Sequence, residues 1–153
     1  VRGSRANGTL DLATGAAYVF FGPVAEGSQS ADQADLIMRG ELTQDYAGDS
    51  VAGAGDVDGD GIDDLLIGSG YSDAAWSNGG AAYLVLGGAI TGTMSLSTAN
   101  ARFTAEAAED RVRTSAAGDV DGDGLADILT AAQLNDATGD QAGSVYLFFG
   151  RGL

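Results

Sequence analysis

The sequence predicts an all-β fold made of tandem four-stranded antiparallel units, with two full repeats and the tail of a third. The first observation is a fixed period. Asp56 and Asp119 open the same acidic motif 119 − 56 = 63 positions apart, and Tyr83 and Tyr146 are separated by the same interval. The second observation is that no stretch shows a 3.6-residue apolar period long enough for a packed helix. A fixed period of this length is typical of proteins in which each copy is one supersecondary unit.

A tyrosine-containing segment occurs three times, which indicates that a partial copy precedes the two others. The three segments are Ala16–Gly22, Ala81–Gly87 and Ser144–Gly150, and each has tyrosine at its third position. Because successive side chains of a strand point to opposite faces, the three tyrosines should share one face of equivalent strands. The residues after them, Val19, Leu84 and Leu147, should lie on the other face.

Within a copy, every segment predicts a strand. Small and apolar residues alternate before the acidic motif, a short apolar run follows it, and β-branched or aromatic runs come later. Glycine-rich stretches separate the runs, with Asn7-Gly8 and Asn78-Gly79 as turn signals. Four short strands per tandem copy predict the blades of a β-propeller. The predicted strands of the complete copy are 50–55, 65–67, 81–86 and 101–106, and Asp35–Glu41 ends the copy before it.

The repeat divides the chain into three units. Residues 1–49 form the C-terminal part of a preceding blade, and Val1 aligns with about Leu129. Residues 50–112 form a blade with an acidic loop at 56–64, and residues 113–153 form a blade with a loop at 119–127 and no fourth strand. Because a propeller closes with about four to eight blades, we expect a longer parent chain or a ring completed by several copies. A longer chain is favoured, since open strand edges invite aggregation.

The acidic motif has the ligand pattern of a calcium loop. It reads Asp-Val-Asp-Gly-Asp-Gly-Ile-Asp-Asp in the first copy and Asp-Val-Asp-Gly-Asp-Gly-Leu-Ala-Asp in the second. Carboxylates on alternate residues can surround a cation that takes about six to eight oxygens, and the glycine at position 6 lets the carbonyl of position 7 face the ion. The pattern predicts two Ca²⁺ per chain. The expected ligands are Asp56, Asp58, Asp60, Asp64 and the Ile62 carbonyl, and Asp119, Asp121, Asp123, Asp127 and the Leu125 carbonyl.

Two alternatives exist for these loops. An EF-hand needs a bidentate glutamate at position 12 and a helix on each side. Position 12 is Ile67 in one copy and Thr130 in the other, and the flanking residues predict strands. The second alternative is a solvated acidic turn, in which four carboxylates within nine residues would repel one another without a cation. Since the loops belong to different blades, the two sites are expected to act nearly independently.

The residues around the loop resemble a known repeat family. The stretch 46–55, which reads Tyr-Ala-Gly-Asp-Ser-Val-Ala-Gly-Ala-Gly, together with the loop and residues 64–69, Asp-Leu-Leu-Ile-Gly-Ser, is similar to the FG-GAP repeat of integrin alpha subunits and of many bacterial secreted proteins. The resemblance implies a β-propeller with calcium between the first and second strands of a blade. It also implies an extracellular or cell-surface protein. The second copy departs from the pattern at 109–114, where its blade is entered, and at 129–132, but not in its metal loop.

Composition limits the function classes. The formal charge is −15, and nine aspartates lie in the two loops, so the rest of the chain carries −15 + 9 = −6. Nucleic acid is therefore not an expected partner, because binding it requires a basic face. Histidine and cysteine are absent, which excludes the usual zinc sites and Ser-His-Asp or Cys-His catalysis. No apolar run approaches the ~20 residues of a membrane-spanning helix, so membrane insertion is not expected.

The expected function is a non-catalytic recognition, adhesion or structural module with a protein or glycan ligand on the face opposite the calcium loops. Neighbouring blades, of the same protein or of other copies, are the other expected partners. Tyr71 and Trp76 are candidate ligand anchors on that face, with packing between blades as the alternative. Arg111 and Arg113 should share one strand face, where they could hold an acidic group or pair with Glu109 and Asp110. A glycosidase using carboxylates outside the loops is the alternative function.

Overall fold

The computed structural model describes residues 14–24 and 26–151, and within them the chain is all-β, as predicted. Asn7-Gly8 and the alignment of Val1 lie outside the described residues. Two single 3-10 turns, Ala31–Gln33 and Leu96–Thr98, are the helical elements of the described part. The strands are β1 Ala16–Val19, β2 Leu36–Arg39, β3 Ser50–Gly55, β4 Asp64–Ser69, β5 Ala81–Val85, β6 Gly92–Ser95, β7 Ala101–Thr104, β8 Val112–Gly118, β9 Asp127–Ala132 and β10 Ser144–Phe148.

The middle sheet is a complete blade with the strand order β3-β4-β5-β7, and all its pairs are antiparallel. Its first three strands are consecutive in the chain, and each pairs with its neighbour in sequence. The pairing of β3 with β4 shifts by one residue between Gly53 and Gly55. This bulge lies immediately before the acidic loop, where extra twist helps to re-aim the chain.

The last sheet repeats the first three strands of the middle blade in the order β8-β9-β10. It has the same one-residue shift, here between Ala116 and Gly118. Tyr83 is opposite Ile67, and Tyr146 is opposite Thr130, the residue one repeat after Ile67. The predicted equivalence of these tyrosine strands is therefore correct. The strand β8 begins at Val112, one residue before the predicted start of the last unit.

The first sheet differs from the prediction. It contains β1 and β2, the third and fourth strands of the preceding blade, but its third member is β6, in the order β1-β2-β6. The predicted strands 81–86 and 101–106 leave the residues between them outside any strand, but in the structure Gly92–Ser95 pair with β2 in parallel. The segment Gly92–Ser95 shows little alternation of apolar and polar residues, because glycine, threonine and serine fill three of its four positions. A strand at this place is therefore hard to predict from the residues alone.

The apolar core lies between successive sheets. We call the side of a blade that faces the preceding blade its leading face, and the other side its trailing face. On the leading face of the middle blade, Ile67 and Tyr83 belong to one buried cluster with Leu36 and Met38 of the first sheet. Burial raises the pKa of the Tyr83 hydroxyl to about 12. The phenol therefore stays neutral over the physiological range.

The trailing face of the middle blade is covered by the last blade. Leu66 and Leu84 are fully buried in a second cluster that includes Ile128 of β9. The tyrosines and the residues after them therefore lie on opposite faces, as the alternation predicts. The trailing face of the last blade carries equivalent apolar side chains, but Val145 is 66% and Leu147 39% exposed.

Blade topology places the connecting segments on two sides. The loops between first and second strands, 56–63 and 119–126, lie on one side. The links from second to third strand and the turns before each first strand lie on the opposite side. Within the described residues, no helix is long and apolar enough to cross a membrane.

Candidate metal centres and the opposite face

The first acidic loop is organised by its own first carboxylate. Asp56 accepts hydrogen bonds on both oxygens, from the Gly59 amide at 2.8 Å and from the Gly61 amide at 2.9 Å. Both glycines have positive φ, 82° and 86°, a conformation that residues with a side chain rarely adopt. The alternation of aspartate and glycine in the sequence therefore has a local cause. The glycines bend the backbone so that its amides converge on Asp56.

The last acid of the loop fixes it to the blade. Asp64 is 1% exposed and accepts hydrogen bonds from the Val57 amide at 2.9 Å and from the Gly87 amide at 2.7 Å. One bond closes the loop, and the other reaches the residues that follow β5. A buried carboxylate needs such donors to offset the loss of hydration. Asp64 therefore connects the loop to the third strand of the blade.

The second loop repeats this arrangement. Asp119 accepts from the Gly122 amide at 2.7 Å and from the Gly124 amide at 3.0 Å. Asp127 is buried and accepts hydrogen bonds from the amides of Val120 at 2.7 Å and Gly150 at 3.0 Å. Each of these bonds matches one in the first loop at the interval of the repeat. The agreement indicates one local structure used twice.

Each loop brings three carboxylates together. Oxygens of Asp56, Asp58 and Asp64 lie within 4.8 Å of one another, and so do oxygens of Asp119, Asp121 and Asp127. The remaining predicted carboxylate ligands, Asp60 and Asp123, are outside these groups. Their Oδ1 atoms accept hydrogen bonds from the Ile62 amide at 2.8 Å and the Leu125 amide at 3.0 Å. The donor set is all oxygen and fits a hard divalent cation.

The two loops are not equivalent in charge. The Arg151 guanidinium lies 3.4 Å from an oxygen of Asp121 and 3.9 Å from an oxygen of Asp123. The residue one repeat before Arg151 is Gly88, so no cation stands at that position of the first copy. Arg151 is well exposed and can swing away, since an exposed ion pair contributes little. The second loop therefore carries its own counter-charge, and the first has none at the equivalent position.

The loops are also in contact with each other. The Ala126 amide of the second loop donates to the Asp56 carbonyl of the first at 2.8 Å. A side chain added at Gly59 would meet Leu125 at 3.0 Å. The expectation of two separate sites came from their positions in different blades. Packing of the blades places them side by side, so some coupling between them is expected.

The opposite side carries an aromatic and cationic cluster. The Tyr71 ring lies 5.2 Å from the Tyr46 ring, and the Arg111 guanidinium lies 4.7 Å from the Tyr71 ring centroid. Trp76 stands nearby in sequence on the same link and is 52% exposed. Sequence reasoning did not select Tyr46. The sequence signal that could have identified Tyr46 is its place in the turn before β3, which corresponds to the place of Arg111 before β8. In the structure both residues have positive φ, 55° and 58°.

The expectation that Arg111 and Arg113 share a strand face is wrong. Arg111 precedes β8 in a left-handed conformation, stacks on Tyr71 and pairs with Glu109 at 3.7 Å. Arg113 lies within β8 and pairs with Asp49 of the middle blade at 3.6 Å. The expectation assumed that both arginines belong to one continuous strand, but Arg111 lies in the turn before β8. Tyr71 thus contacts the next blade through Arg111, as the packing alternative predicted, and Trp76 remains available to solvent.

The comparisons with known proteins agree with the geometry. A family model described as the FG-GAP repeat matches residues 47–85 and 112–148. Each match begins at or within a few residues of the first strand of a blade and ends at its third strand, so each contains one complete acidic loop. No curated protein matches the chain at a significant level.

Proposed function

Because the chain is an FG-GAP repeat protein, we propose that it is a calcium-stabilised, non-catalytic propeller module that serves recognition or adhesion outside the cell or at its surface. The observation that carries the proposal is the pair of loops, each with three carboxylates within 4.8 Å. Extracellular calcium sites have dissociation constants of about 10⁻⁴–10⁻³ M, and the medium keeps them filled. Turnover of a glycoside or phosphoester that depends on acids outside the loops would contradict the non-catalytic role.

The residues fit calcium in particular. Asp56 and Asp64 are held by backbone amides, so their orientation is set before a metal binds. Asp58 faces them from an exposed position, and the Ile62 carbonyl is the proposed main-chain ligand. Asp60 would complete the set by a rotation of its side chain. Calcium tolerates such an irregular shell, whereas Mg²⁺ requires a near-ideal octahedron at about 2.1 Å.

Calcium titration tests this assignment. We expect isothermal titration of the calcium-free protein to give two Ca²⁺ per chain, and Asp58→Ala to reduce the count to one. Mg²⁺ should bind much more weakly at the same ionic strength. A count below two for the unchanged protein at millimolar calcium would contradict the proposal. A dissociation constant far below ~10⁻⁶ M would remove the argument for an extracellular location.

The side opposite the loops is the proposed site for a protein or glycan ligand. Trp76 is exposed there, and Tyr46 is 45% exposed beside the stacked pair of Tyr71 and Arg111. Aromatic side chains dominate the binding energy of interfaces because they bury a large area at low entropic cost. Arg113 is less suited, since its charge is paired with Asp49.

A binding screen tests the location of this ligand site. Trp76→Ala should weaken binding to a glycan or cell-surface protein that the unchanged chain retains, because it removes an exposed aromatic side chain on that side. The matched control is Phe149→Ala, which removes a similarly exposed aromatic residue that directly follows β10 on the side of the loops. Equal loss in both variants, or loss in the control alone, would contradict the assignment.

A further inference from the structure

Arg151 is placed beside the second acidic loop by the backbone that precedes it. The Gly150 amide donates to the buried carboxylate of Asp127 at 3.0 Å, and a side chain added at Gly150 would collide with the Ala126 carbonyl. The chain that follows β10 is therefore fixed against the loop. The Arg151 side chain is exposed, but it extends from an anchored position.

The guanidinium faces the carboxylate oxygens that receive no main-chain hydrogen bond. Asp121 accepts the Asp123 amide on Oδ1 at 3.2 Å, and Asp123 accepts the Leu125 amide on Oδ1 at 3.0 Å. The Oδ2 atoms of Asp121 and Asp123 lie 3.4 and 3.9 Å from guanidinium nitrogens of Arg151. Both carboxylates are proposed calcium ligands. Arg151 therefore contacts the two oxygens that the second loop leaves free for a metal.

The first loop has the same free oxygens without a neighbouring cation. Asp58 and Asp60 use Oδ1 to accept the amides of Asp60 and Ile62, at 3.1 and 2.8 Å. In the part of the chain that the structure describes, no arginine lies within 4.0 Å of a carboxylate of this loop. A side chain added at Gly88, the position of Arg151 in this copy, would have Ile62 as its nearest neighbour, at 3.9 Å. The two loops therefore share their geometry and differ in this charge.

We propose that Arg151 makes the second loop bind calcium more weakly than the first, so that the two loops fill in order as calcium rises. The inference rests on the calcium binding proposed above. Without metal the guanidinium pairs with Asp121 and Asp123, and calcium has to displace this pair, while a cation that stays nearby repels the ion. Because Arg151 is exposed, its effect on the dissociation constant is about two- to fivefold, the range of an exposed ion pair.

A calcium titration of the whole calcium-free protein, followed in ¹⁵N spectra, tests the order. The Gly61 and Gly124 amides bond to the first carboxylate of their own loops, so their signals report on the two sites separately. We expect Gly61 to reach half-saturation at a lower calcium concentration than Gly124. Arg151→Gln should lower the Gly124 midpoint by about two- to fivefold and move the Gly61 midpoint less.

Two controls isolate the position of the charge. Arg39→Gln removes the same charge at the exposed end of β2, on the side opposite the loops, and should leave the ratio of the two midpoints unchanged. Gly88→Arg places a cation beside the first loop. Since Gly88 has φ of 102°, any side chain there is strained, and Gly88→Gln carries the same strain without the charge. The arginine variant should raise the Gly61 midpoint relative to the glutamine variant.

The outcomes distinguish this inference from the proposed function. A Gly124 midpoint that Arg151→Gln leaves unchanged would overturn the inference and leave calcium binding in place. The same holds if Gly124 saturates together with Gly61, or before it, in the unchanged chain. Signals that do not saturate at millimolar calcium would contradict calcium binding itself, and the order of filling with it.

Discussion

Removal of calcium with EGTA should lower the melting temperature of the protein by roughly 10 °C or more. A ligand that binds only the folded chain adds about 2.7 kcal/mol per site at 100 times its dissociation constant, which for a constant of about 10⁻⁴ M means measuring at about 10 mM Ca²⁺. Two sites would contribute about twice that, and a chain of this size loses about 2–4 °C per kcal/mol. Chelation also restores repulsion among three carboxylates that lie within 4.8 Å in each loop. Thermal unfolding followed by circular dichroism, with and without EGTA, measures the effect.

Two matched variants separate metal binding from loss of an acid. Asp58→Ala removes a member of the first carboxylate group and should abolish at least about half of the calcium-dependent increase in melting temperature, because the hydrogen bond from Ala126 to Asp56 couples the second loop to the first. Asp63→Ala removes an exposed acid of the same loop that lies outside the group, and the second loop has Ala126 at this position. It should keep the full increase. A melting curve unchanged by EGTA, or equal losses in both variants, would leave the loops as solvated turns.

Leu66→Ala should destabilise the protein by about 2–5 kcal/mol, because it leaves a cavity at a fully buried position between two blades. Leu129 is the equivalent residue of the last blade, one repeat later, and it is only partly buried. Leu129→Ala should cost roughly 1 kcal/mol or less, close to the effect of a surface substitution. Urea unfolding monitored by tryptophan fluorescence and circular dichroism gives both free energies.

The comparison also reports on the trailing face of the last blade. A large cost for Leu129→Ala would mean that a further blade or a second copy covers Leu129, Val145 and Leu147 in solution. The measurement should therefore be repeated over a range of protein concentrations. A cost that rises with concentration would identify a second copy as the cover, and this would contradict the open face described above.

The repeat and the calcium pattern could be predicted from the sequence because both depend on local information. The constant interval between copies fixes which segments are equivalent, and alternation within a strand fixes their faces. The loop is determined by its own few residues, since the amides of Gly59 and Gly61 bond the Asp56 carboxylate of the same loop. These contacts need no distant partner. The sequence alone was therefore sufficient to predict all-β blades and a carboxylate cluster in each loop.

The contacts between neighbouring blades could be identified only from the tertiary structure. The pairing of β6 with β2, the hydrogen bond from Ala126 to Asp56 and the stacking of Arg111 on Tyr71 join residues of different blades. None has a periodic signal, because each depends on how one sheet packs and twists against the next. A strand of Gly-Thr-Met-Ser acquires its conformation from the edge of β2 rather than from its own propensity. The sequence by itself thus determines each blade and its loop, and packing determines how neighbouring blades share strands, charges and binding surfaces.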